Sequence, residues 1–344
     1  MITTEIISAA EKEKWSKVVS TASSFDFYHC HSYQNLEKSG EHFLFTAKDC
    51  EDNFIALPLI KRSIEGTGLY DCTSVYGYPG PISNAPLHDL PRDLLKGFRE
   101  ALKSYLREHN IIAAFSRLHP MMEQGAFFDD WGLLRQMNKT VAIDLRLPPD
   151  KQRQQYRKSN KSEINQLRRA GFTVRKAATD EDVEKFAAIY SETMHRVAAS
   201  DYYFFDVDYF KNFLKAEDFE VMLLLVCKDD EIAAGAVFTA AKDIMQYHLA
   251  GTADKFIRDT PMKLLIDEAR LMGTEMGLHY LHLGGGVGGS DDDPLYRFKS
   301  GFSDLNFTYK VWQLIADEDK YTELVALRSK EKPLNPNYFP LYRS

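Results

Sequence analysis

The two halves of this 344-residue chain show the same order of predicted elements. Each half starts with an amphipathic helix, then a hairpin closed by an acidic turn, a third strand, a second amphipathic helix and a short buried strand. These segments are 11–23, 43–47, 54–60, 69–76, 90–108 and 111–115 in the first half, and 181–197, 221–226, 232–240, 245–249, 261–276 and 280–283 in the second. Such alternation places helices on both faces of a sheet. The sequence therefore predicts a duplicated α/β fold (α+β mixed sheet).

Apolar spacing and breaker residues support this assignment. The 90–108 helix carries apolar residues three or four positions apart, as expected for one buried face: Leu90, Leu94, Leu95, Phe98, Leu102, Tyr105 and Leu106. The Gly77–Pro81 segment predicts a loop, and Gly277 is expected to end the 261–276 helix. A last hairpin is predicted from Phe307 through Ile315 and beyond.

Length suggests two domains. We expect an N-terminal domain over residues 1–150 and a C-terminal domain over residues 151–344, the second carrying the functional cleft. The link between them, Lys151–Ala170 and ending at Gly171, has a weak apolar stripe. It is therefore predicted to be a basic helix that lies on the surface rather than in a core.

Charge is distributed unevenly. The chain has a net charge of −7, which argues against bulk nucleic-acid binding, but Lys151–Lys176 contains nine Lys or Arg residues and only Glu163 as an acid, a local charge of +8. One interpretation is a solvated basic helix. The other is a surface for an anionic ligand such as a phosphate-rich cofactor, a nucleotide-linked precursor or tRNA.

Cysteine usage and hydropathy indicate a cytoplasmic protein. Cys30, Cys50, Cys72 and Cys227 lack metal-binding spacing and are expected to be reduced thiols with structural roles, so no metal site is predicted. Neither a signal peptide nor an apolar run long enough for a membrane span is apparent.

Five short phrases occur in order along the chain: 77–81 (GYPGP), 192–196 (ETMHR), 247–251 (YHLAG), 283–286 (LGGG) and 295–302 (LYRFKSGF). Together they resemble the phrases of the FemAB-like N-acyltransferases, which carry tandem domains of the GNAT type. The resemblance covers most of the chain and is stronger after Asp150. It implies two tandem GNAT-like domains, in the second of which strands 245–251 and 280–284 splay apart and leave unpaired backbone N–H groups.

Two departures from that family bear on the acyl donor. The place of the usual glycine-rich loop for coenzyme A is taken by Arg258–Met262, which contains no glycine. Without glycine the backbone cannot approach a pyrophosphate as closely. A long charged helical hairpin, which some FemAB-like proteins use as a tRNA-binding arm, is also absent from the pattern. Acyl-CoA and aminoacyl-tRNA therefore both remain possible co-substrates, and no other cofactor is implied.

Lys299 is the principal catalytic candidate. The resemblance implies that a lysine at this place stabilises negative charge at the reacting centre; the alternative is a surface lysine on a short helix. Tyr296 shares the helical face of Lys299 and could protonate a leaving group, whereas Arg297 could hold a phosphate or carboxylate.

A glycine-rich acidic segment, 284–294, precedes this helix. It is interpreted either as a flexible turn or as a mobile loop at the cleft mouth. In the second interpretation Gly284 and Gly285 lie against substrate and Asp293 steers a cationic acceptor amine.

Three further candidates lie on other elements. Arg196 ends the 181–197 helix and either binds an anionic group of the acceptor or satisfies the helix dipole. Tyr247 and His248 are consecutive on a strand and should point to opposite faces. Tyr247 fits the family's substrate-contacting tyrosine, whereas His248 is either structural or a proton acceptor.

The leading hypothesis is an N-acyltransferase that moves an acyl or aminoacyl group directly onto a primary amine, for example of a cell-wall precursor or a nucleotide sugar. No Ser-His-Asp or Cys nucleophile pattern is apparent, so no covalent enzyme intermediate is expected. Two alternatives are a non-catalytic GNAT-fold ligand-binding protein, and an RNA-binding surface at Lys151–Lys176 that would promote tRNA binding.

Overall fold

The computed structural model describes residues 2–128, 130–287, 290 and 292–344. Parts of the predicted 284–294 loop, namely Gly288, Gly289 and Asp291, lie outside the described residues. Ten α-helices are present in this part of the chain: α1 (Lys12–Ser20), α2 (His31–Gln34), α3 (Arg92–Glu108), α4 (Pro149–Gln154), α5 (Lys158–Arg169), α6 (Asp180–Arg196), α7 (Val207–Phe213), α8 (Met262–Glu275), α9 (Pro294–Lys299) and α10 (Glu318–Glu331).

The described residues also form thirteen strands: β1 (Thr3–Ser8), β2 (Glu41–Lys48), β3 (Phe54–Ile64), β4 (Leu69–Thr73), β5 (Ile82–Ser83), β6 (Ile111–Leu118), β7 (Leu133–Asp144), β8 (Thr173–Lys176), β9 (Glu220–Lys228), β10 (Glu231–Ala241), β11 (Ile244–Thr252), β12 (Tyr280–Gly285) and β13 (Asn306–Ile315).

The chain folds as two compact units. The first unit comprises Met1–Met137 and Thr308–Ser344, and the second comprises Asn138–Phe307. In the first unit the strand order is β1-β2-β3-β4-β6-β13, with the short β5 beside β3, and in the second it is β7-β12-β11-β10-β9-β8. The mixed α/β architecture predicted from the sequence is confirmed.

The pairing pattern of the two units is the same strand by strand. β1, β2, β3 and β4 pair antiparallel in succession, β4 then pairs parallel with β6, and β6 pairs antiparallel with β13. The second unit repeats these steps with β8, β9, β10, β11, β12 and β7. The parallel step requires a crossover, which α3 supplies in the first unit and α8 in the second. The duplication inferred from the order of elements thus extends to sheet topology.

The division of the chain differs from the predicted ranges 1–150 and 151–344. Residues 308–344 belong to the first unit, because β13 pairs with β6 and Leu324 of α10 packs in a cluster with Ile112 and Tyr342. Residues 138–150 belong to the second unit, where β7 pairs with β12. Each unit is therefore completed by a strand from the far side of the predicted boundary, which local patterns do not indicate.

The predicted last hairpin is wrong in its second half. The strand itself is present as β13, but α10 follows it, and β13 pairs with the distant strand β6 rather than with the segment after it. The hairpins β2–β3 and β9–β10 are confirmed, as are the loop at Gly77–Pro81 and the end of α8 at Gly277, where φ is +73°.

The basic link is an integral part of the second unit, not a segment lying over it. It forms α4 and α5, and the apolar face of α5 buries Ile164 and Leu167 completely or nearly so in the core with Leu264 and Leu265 of α8. The prediction of a surface helix is wrong, because two branched side chains three positions apart are enough to pack one face of the helix against the core. Among the helices described, none combines the length and the apolar character needed to cross a bilayer.

Candidate active site

The sheet of the second unit opens between β11 and β12. The two parallel strands are paired only at Ile244, Met245 and Gln246 of β11, which face Tyr280, Leu281 and His282 of β12. Beyond this point β11 runs on from Tyr247 to Thr252 without pairing to β12. We call this opening, bordered by Tyr247–Thr252 and Leu283–Gly285, the wedge. The predicted separation of these strands is thus present, although their first residues, 244–246 and 280–282, are still paired.

Lys299 lies at this opening and not in bulk water. Only 7% of the residue is exposed, although it sits in the last turn of the short helix α9. Its Nζ donates a 2.8 Å hydrogen bond to the carbonyl oxygen of Gly285, at the end of β12, and lies 5.7 Å from the ring centroid of Tyr247 on β11. One ammonium group therefore contacts both borders of the wedge.

Burial changes the acid–base behaviour of this lysine. Loss of hydration lowers the pKa of Lys299 to about 8, and the nearby carboxylate of Asp293 partly opposes that decrease. Desolvation disfavours the charged form of an amine. A lysine with a pKa near neutrality can carry positive charge or exchange a proton in the working pH range.

Tyr247 and His248 point to opposite sides of β11. The Tyr247 ring lies 5.6 Å from Phe238 and faces Lys299, whereas the His248 ring lies 5.5 Å from Phe213 of α7. His248 is the extra residue of a β-bulge, because Phe238 faces Tyr247 and Val237 faces Leu249. Burial lowers the pKa of His248 to about 3. His248 is therefore not brought together with Lys299, and its neutral ring packs against aromatic side chains.

Backbone geometry at the end of β12 depends on glycine. Gly284 has φ of +74°, and a methyl group there would lie 3.3 Å from Nζ of Lys299. A methyl group on Gly285 would lie 2.7 Å from the carbonyl oxygen of Lys139. Both positions of the predicted substrate-contacting pair thus border the wedge, and close approach explains why each is glycine.

Asp293 caps the short helix that carries Lys299. Its side chain caps α9, with one carboxylate oxygen accepting from the Tyr296 N–H at 2.8 Å and the other from the Val287 N–H at 3.2 Å. The carboxylate thereby fixes the start of the helix that carries Lys299, as an N-cap aspartate does.

Tyr296 and Arg297 diverge from one another on α9. The Tyr296 hydroxyl donates to Asn306 Oδ1 at 2.9 Å, and its ring packs against the core. Arg297 is exposed, and its guanidinium has neither a hydrogen bond nor an ion pair with any described residue. Arg297 thus remains available to an anion, whereas the Tyr296 hydroxyl already has an acceptor.

Arg196 is engaged with the end of β11. Its guanidinium pairs with Asp254 and donates to the carbonyl oxygen of Thr252 at 3.2 Å and to Thr193 Oγ1 at 3.1 Å. These contacts connect the C-terminus of α6 to the end of the wedge strand. Its position is near the wedge border, but the hydrogen bonds are those of a structural connector.

The basic segment is partly neutralised within the fold. Arg153 and Arg168 both pair with the buried Asp267, at 2.8 and 2.9 Å, and Arg175 pairs with Asp182 at 2.6 Å. Six of its nine cations have no carboxylate partner among the described residues, and these are Lys151, Arg157, Lys158, Lys161, Arg169 and Lys176. The positive charge that the segment leaves unpaired is therefore smaller than its sequence charge.

Two residues near the site gave no signal in the sequence. Arg157 donates to the carbonyl oxygen of Arg297 and to Ser300 Oγ, both at 2.8 Å, and so attaches the start of α5 to α9. Glu163 of α5 accepts a 3.0 Å hydrogen bond from Thr260 Oγ1 and pairs with Lys263. Both contacts join residues about 100 or more positions apart, which sequence patterns do not reveal.

The contacts of Glu163 bear on coenzyme A. Thr260 and Lys263 flank the N-terminus of α8, which is the place where a pyrophosphate would be expected. Thr260 adopts a left-handed backbone with φ of +54° where a glycine-rich loop would be required. A carboxylate is already present beside this helix end. This helix end therefore carries a carboxylate, which is paired with Lys263, and its loop contains no glycine.

The GYPGP loop forms part of a buried polar cluster in the first unit. A side chain on Gly77 would meet the ring of Tyr28, and one on Gly80 would meet Gln124. Gln124 accepts from the His119 N–H at 2.6 Å and donates to the Pro81 carbonyl at 2.8 Å. The loop thus closes against the end of β6, which occupies the place in this unit that β12 has in the second.

Comparison with known proteins agrees with the geometry. The sequence profile of the acetyltransferase (GNAT) domain family matches residues 152–300. Among solved structures, FemX superposes with a TM-score of 0.72 at 13% identity, covering 93% of this chain and 99% of that chain. The C-terminal domain of a putative lysylphosphatidylglycerol synthetase from Agrobacterium fabrum gives 0.57 at 15% identity, covering 88% and 91%.

A tandem GNAT protein from the clavulanic acid biosynthesis pathway gives a TM-score of 0.50 at 10% identity, covering 91% of this chain and 99% of that chain. No curated protein sequence matches this chain significantly. At such low identities the structural likeness establishes the fold, and the profile match identifies the second unit. Residues 152–300 therefore match the GNAT acetyltransferase domain family, and the chain as a whole shares its fold with FemX and with the tandem GNAT protein.

Proposed function

We propose that the chain transfers an acyl or aminoacyl group from an activated donor directly onto a primary amine at the wedge of the second unit. The observation that carries this proposal is the buried ammonium of Lys299 between Gly285 and Tyr247. A buried cation is costly to maintain, and a fixed positive group can stabilise the negative charge that develops in a transition state. Lys299 contacts both strands at the point where their pairing has ended.

The chemistry follows from the charges involved. The amine nitrogen attacks the acyl carbonyl carbon, and the carbonyl oxygen becomes negative as the tetrahedral intermediate forms. Lys299 would stabilise that oxygen. The carbon–oxygen or carbon–sulfur bond of the donor then breaks, and the leaving group takes up a proton while the new amide nitrogen loses one. The free edge of β11 would align the donor and so lower the entropic cost of the attack.

The donor is proposed to be an aminoacyl-tRNA rather than an acyl-CoA. Glu163 beside the α8 N-terminus disfavours a pyrophosphate, while six cations of Lys151–Lys176 have no carboxylate partner among the described residues. FemX and the putative lysylphosphatidylglycerol synthetase share this fold, and the name of the second denotes a lysyl group joined to a lipid. The acceptor is proposed to be a primary amine of a cell-wall precursor or nucleotide sugar.

The test is a transfer assay with two donor classes. Purified protein is incubated with a mixture of charged tRNAs or with a panel of acyl-CoAs, each with amine acceptors, and products are identified by mass spectrometry. We expect an amide product with charged tRNA that depends on Lys299. Product from acyl-CoA alone would show that the protein is an acyltransferase whose donor is an acyl-CoA.

Two further variants sharpen the donor assignment. Glu163→Ala should increase binding of acetyl-CoA if the carboxylate repels the pyrophosphate, whereas Glu184→Ala, a change on the exposed side of α6, should not. Donor or acceptor binding without product under any condition would favour the non-catalytic ligand-binding alternative. Binding of tRNA that does not weaken between low and moderate salt would argue against the basic surface, because phosphate contacts release counterions.

A further inference from the structure

The first unit contains a pair of adjoining hollows near its C-terminal residues. They have volumes of about 390 and 440 Å³ and share Arg328, Tyr342 and Arg343 in their linings. Volumes of this size fall in the range of small-molecule sites. The hollows lie in a different unit from the wedge, so a ligand site here is independent of the proposed acyl transfer.

The second hollow is lined by cations and tyrosines. Its lining consists of Arg62, Arg328, Lys332, Tyr338, Tyr342 and Arg343. The lining contains four positive side chains and no acid. The acidic Glu65 borders only the first hollow, and Glu331 pairs with Arg328 at 2.8 Å.

Two of the arginines are held in place from behind. Asp71 is completely buried; Arg62 Nε lies 2.9 Å from one of its carboxylate oxygens, and Arg343 Nε pairs with the other. The Tyr342 hydroxyl also donates to Asp71, at 3.1 Å. A buried carboxylate that binds only the Nε edges orients both guanidiniums before any ligand arrives.

The outer edges of these guanidiniums remain open. Arg343 uses one terminal nitrogen on the carbonyl oxygen of Ser63 at 2.7 Å. Its second terminal nitrogen and both terminal nitrogens of Arg62 have no acceptor among the described residues. Fixed guanidinium donors beside two further cations match the oxygens of a phosphate group. Tyr338, 48% exposed, presents a ring at the same rim.

We propose that this hollow is a binding site for a small phosphate-bearing ligand. The phosphate binds to Arg62 and Arg343, Arg328 and Lys332 add charge at the rim, and the Tyr338 ring covers the group attached to the phosphate. The site is set by the fold, because Asp71 on β4, Arg62 on β3 and Arg343 near the C-terminus meet only in the folded unit.

The experiment is isothermal titration calorimetry of the full chain with three probes: inorganic phosphate, pyrophosphate and ADP. We expect saturable binding of at least one probe, weakened by added NaCl. The double variant Arg328→Ala/Lys332→Ala should reduce affinity at least tenfold, whereas Lys330→Ala, an exposed lysine on the same helix outside the hollow, should change it less than twofold. Tighter binding of ADP than of pyrophosphate, lost in Tyr338→Ala, would assign a nucleotide; equal binding would assign the phosphate group alone.

A second variant addresses the buried side of the site. Arg62→Lys keeps a cation against Asp71 but removes the planar fork, so it should weaken binding while circular dichroism and urea unfolding remain close to wild type. The proposal is overturned if none of the three probes binds, or if the double variant and Lys330→Ala bind a probe as tightly as wild type.

Discussion

The Nζ atom of Lys299 lies 2.8 Å from the carbonyl oxygen of Gly285, so that the last turn of α9 is attached to the end of β12 at the mouth of the wedge. The same ammonium faces the ring of Tyr247 on the opposite strand. This single side chain connects the three elements that border the wedge. Substitutions can separately change the charge of Lys299, the cap of its helix at Asp293 and the space beside it at Gly284.

Removing the ammonium should impair transfer without unfolding the protein. Lys299→Ala is expected to lower kcat at least tenfold, because the developing oxyanion loses its positive partner. Lys215→Ala, which changes an exposed lysine of the same unit, serves as the control and should retain full activity. Turnover of Lys299→Ala at the wild-type rate, with an unchanged circular dichroism spectrum, would remove Lys299 from the mechanism.

The rate of transfer should depend on the charge of Lys299. Because burial lowers its pKa to about 8, the fraction of enzyme with a cation falls as pH rises through that value. We expect kcat at saturating acceptor to fall above about pH 8. Lys299→Arg keeps its charge throughout this range and should lack the falling limb, although at a lower rate. Identical pH profiles for the two proteins would assign the limb to another group.

The same buried charge should lower stability at neutral pH. The folded-state pKa of Lys299 lies below its unfolded value, so between pH 8 and 10.5 the unfolded chain binds more protons and the free energy of unfolding rises with pH. Lys299→Met avoids the buried charge and should be more stable at pH 7 by about 1 to 3 kcal/mol.

That advantage should shrink between pH 8 and 10.5, where wild-type Lys299 is neutral in the folded protein but still charged in the unfolded chain. Urea unfolding of both proteins at pH 7 and pH 10 measures the difference. A stability gain that is the same at the two pH values would show that packing, not charge, causes it.

Asp293 should act as a helix cap rather than by steering an amine. Asparagine also caps helices well, so Asp293→Asn is expected to keep activity within about threefold. Asp293→Ala removes the acceptor for the Tyr296 N–H and should cost about 1 kcal/mol of stability together with activity. Loss of activity in Asp293→Asn with unchanged stability would instead support the amine-steering role.

Gly284 should be needed at the site for the space beside Lys299 as well as for its backbone conformation. Gly284 and Gly277 have φ of +74° and +73°, so alanine should cost each about 1 kcal/mol of stability. Only at Gly284 would the new methyl group approach Lys299, at 3.3 Å, whereas nothing lies within 4 Å at Gly277.

Gly284→Ala is therefore expected to lower kcat severalfold and Gly277→Ala to leave it unchanged, once both are compared at temperatures where they are fully folded. Equal activity in the two variants would mean that the space beside Lys299 is not used in the reaction.

Local patterns are enough to predict most elements of the duplicated units. The periodicity of 90–108 and 261–276 reports burial of one helix face, which depends on residues a few positions apart, and α3 and α8 are found there. The separation of β11 from β12 follows from the family resemblance. By contrast, the short β8, the long β7 and the helix α10 are not predicted, because their partners are distant in sequence.

The site shows the same division. Lys299, Gly284, Gly285 and Tyr247 are predicted from short phrases in the second half, and the structure places all four at the wedge. His248 is the extra residue of a β-bulge, and its ring points away from Lys299, toward Phe213 of α7. Asp293 accepts a hydrogen bond from the Tyr296 N–H, and Arg196 donates one to the carbonyl oxygen of Thr252. The sequence patterns predict neither contact.

The sequence alone determined the repeated order of elements, which short-range spacing records, and its resemblance to a known family implied the GNAT-type units and the candidate lysine. Only the tertiary structure decided that strands β7 and β13 complete the two units, that Glu163 lies beside the α8 N-terminus, and that burial lowers the pKa of Lys299. These properties arise from contacts between residues about a hundred or more positions apart and from exclusion of water, and neither leaves a periodic trace in the chain.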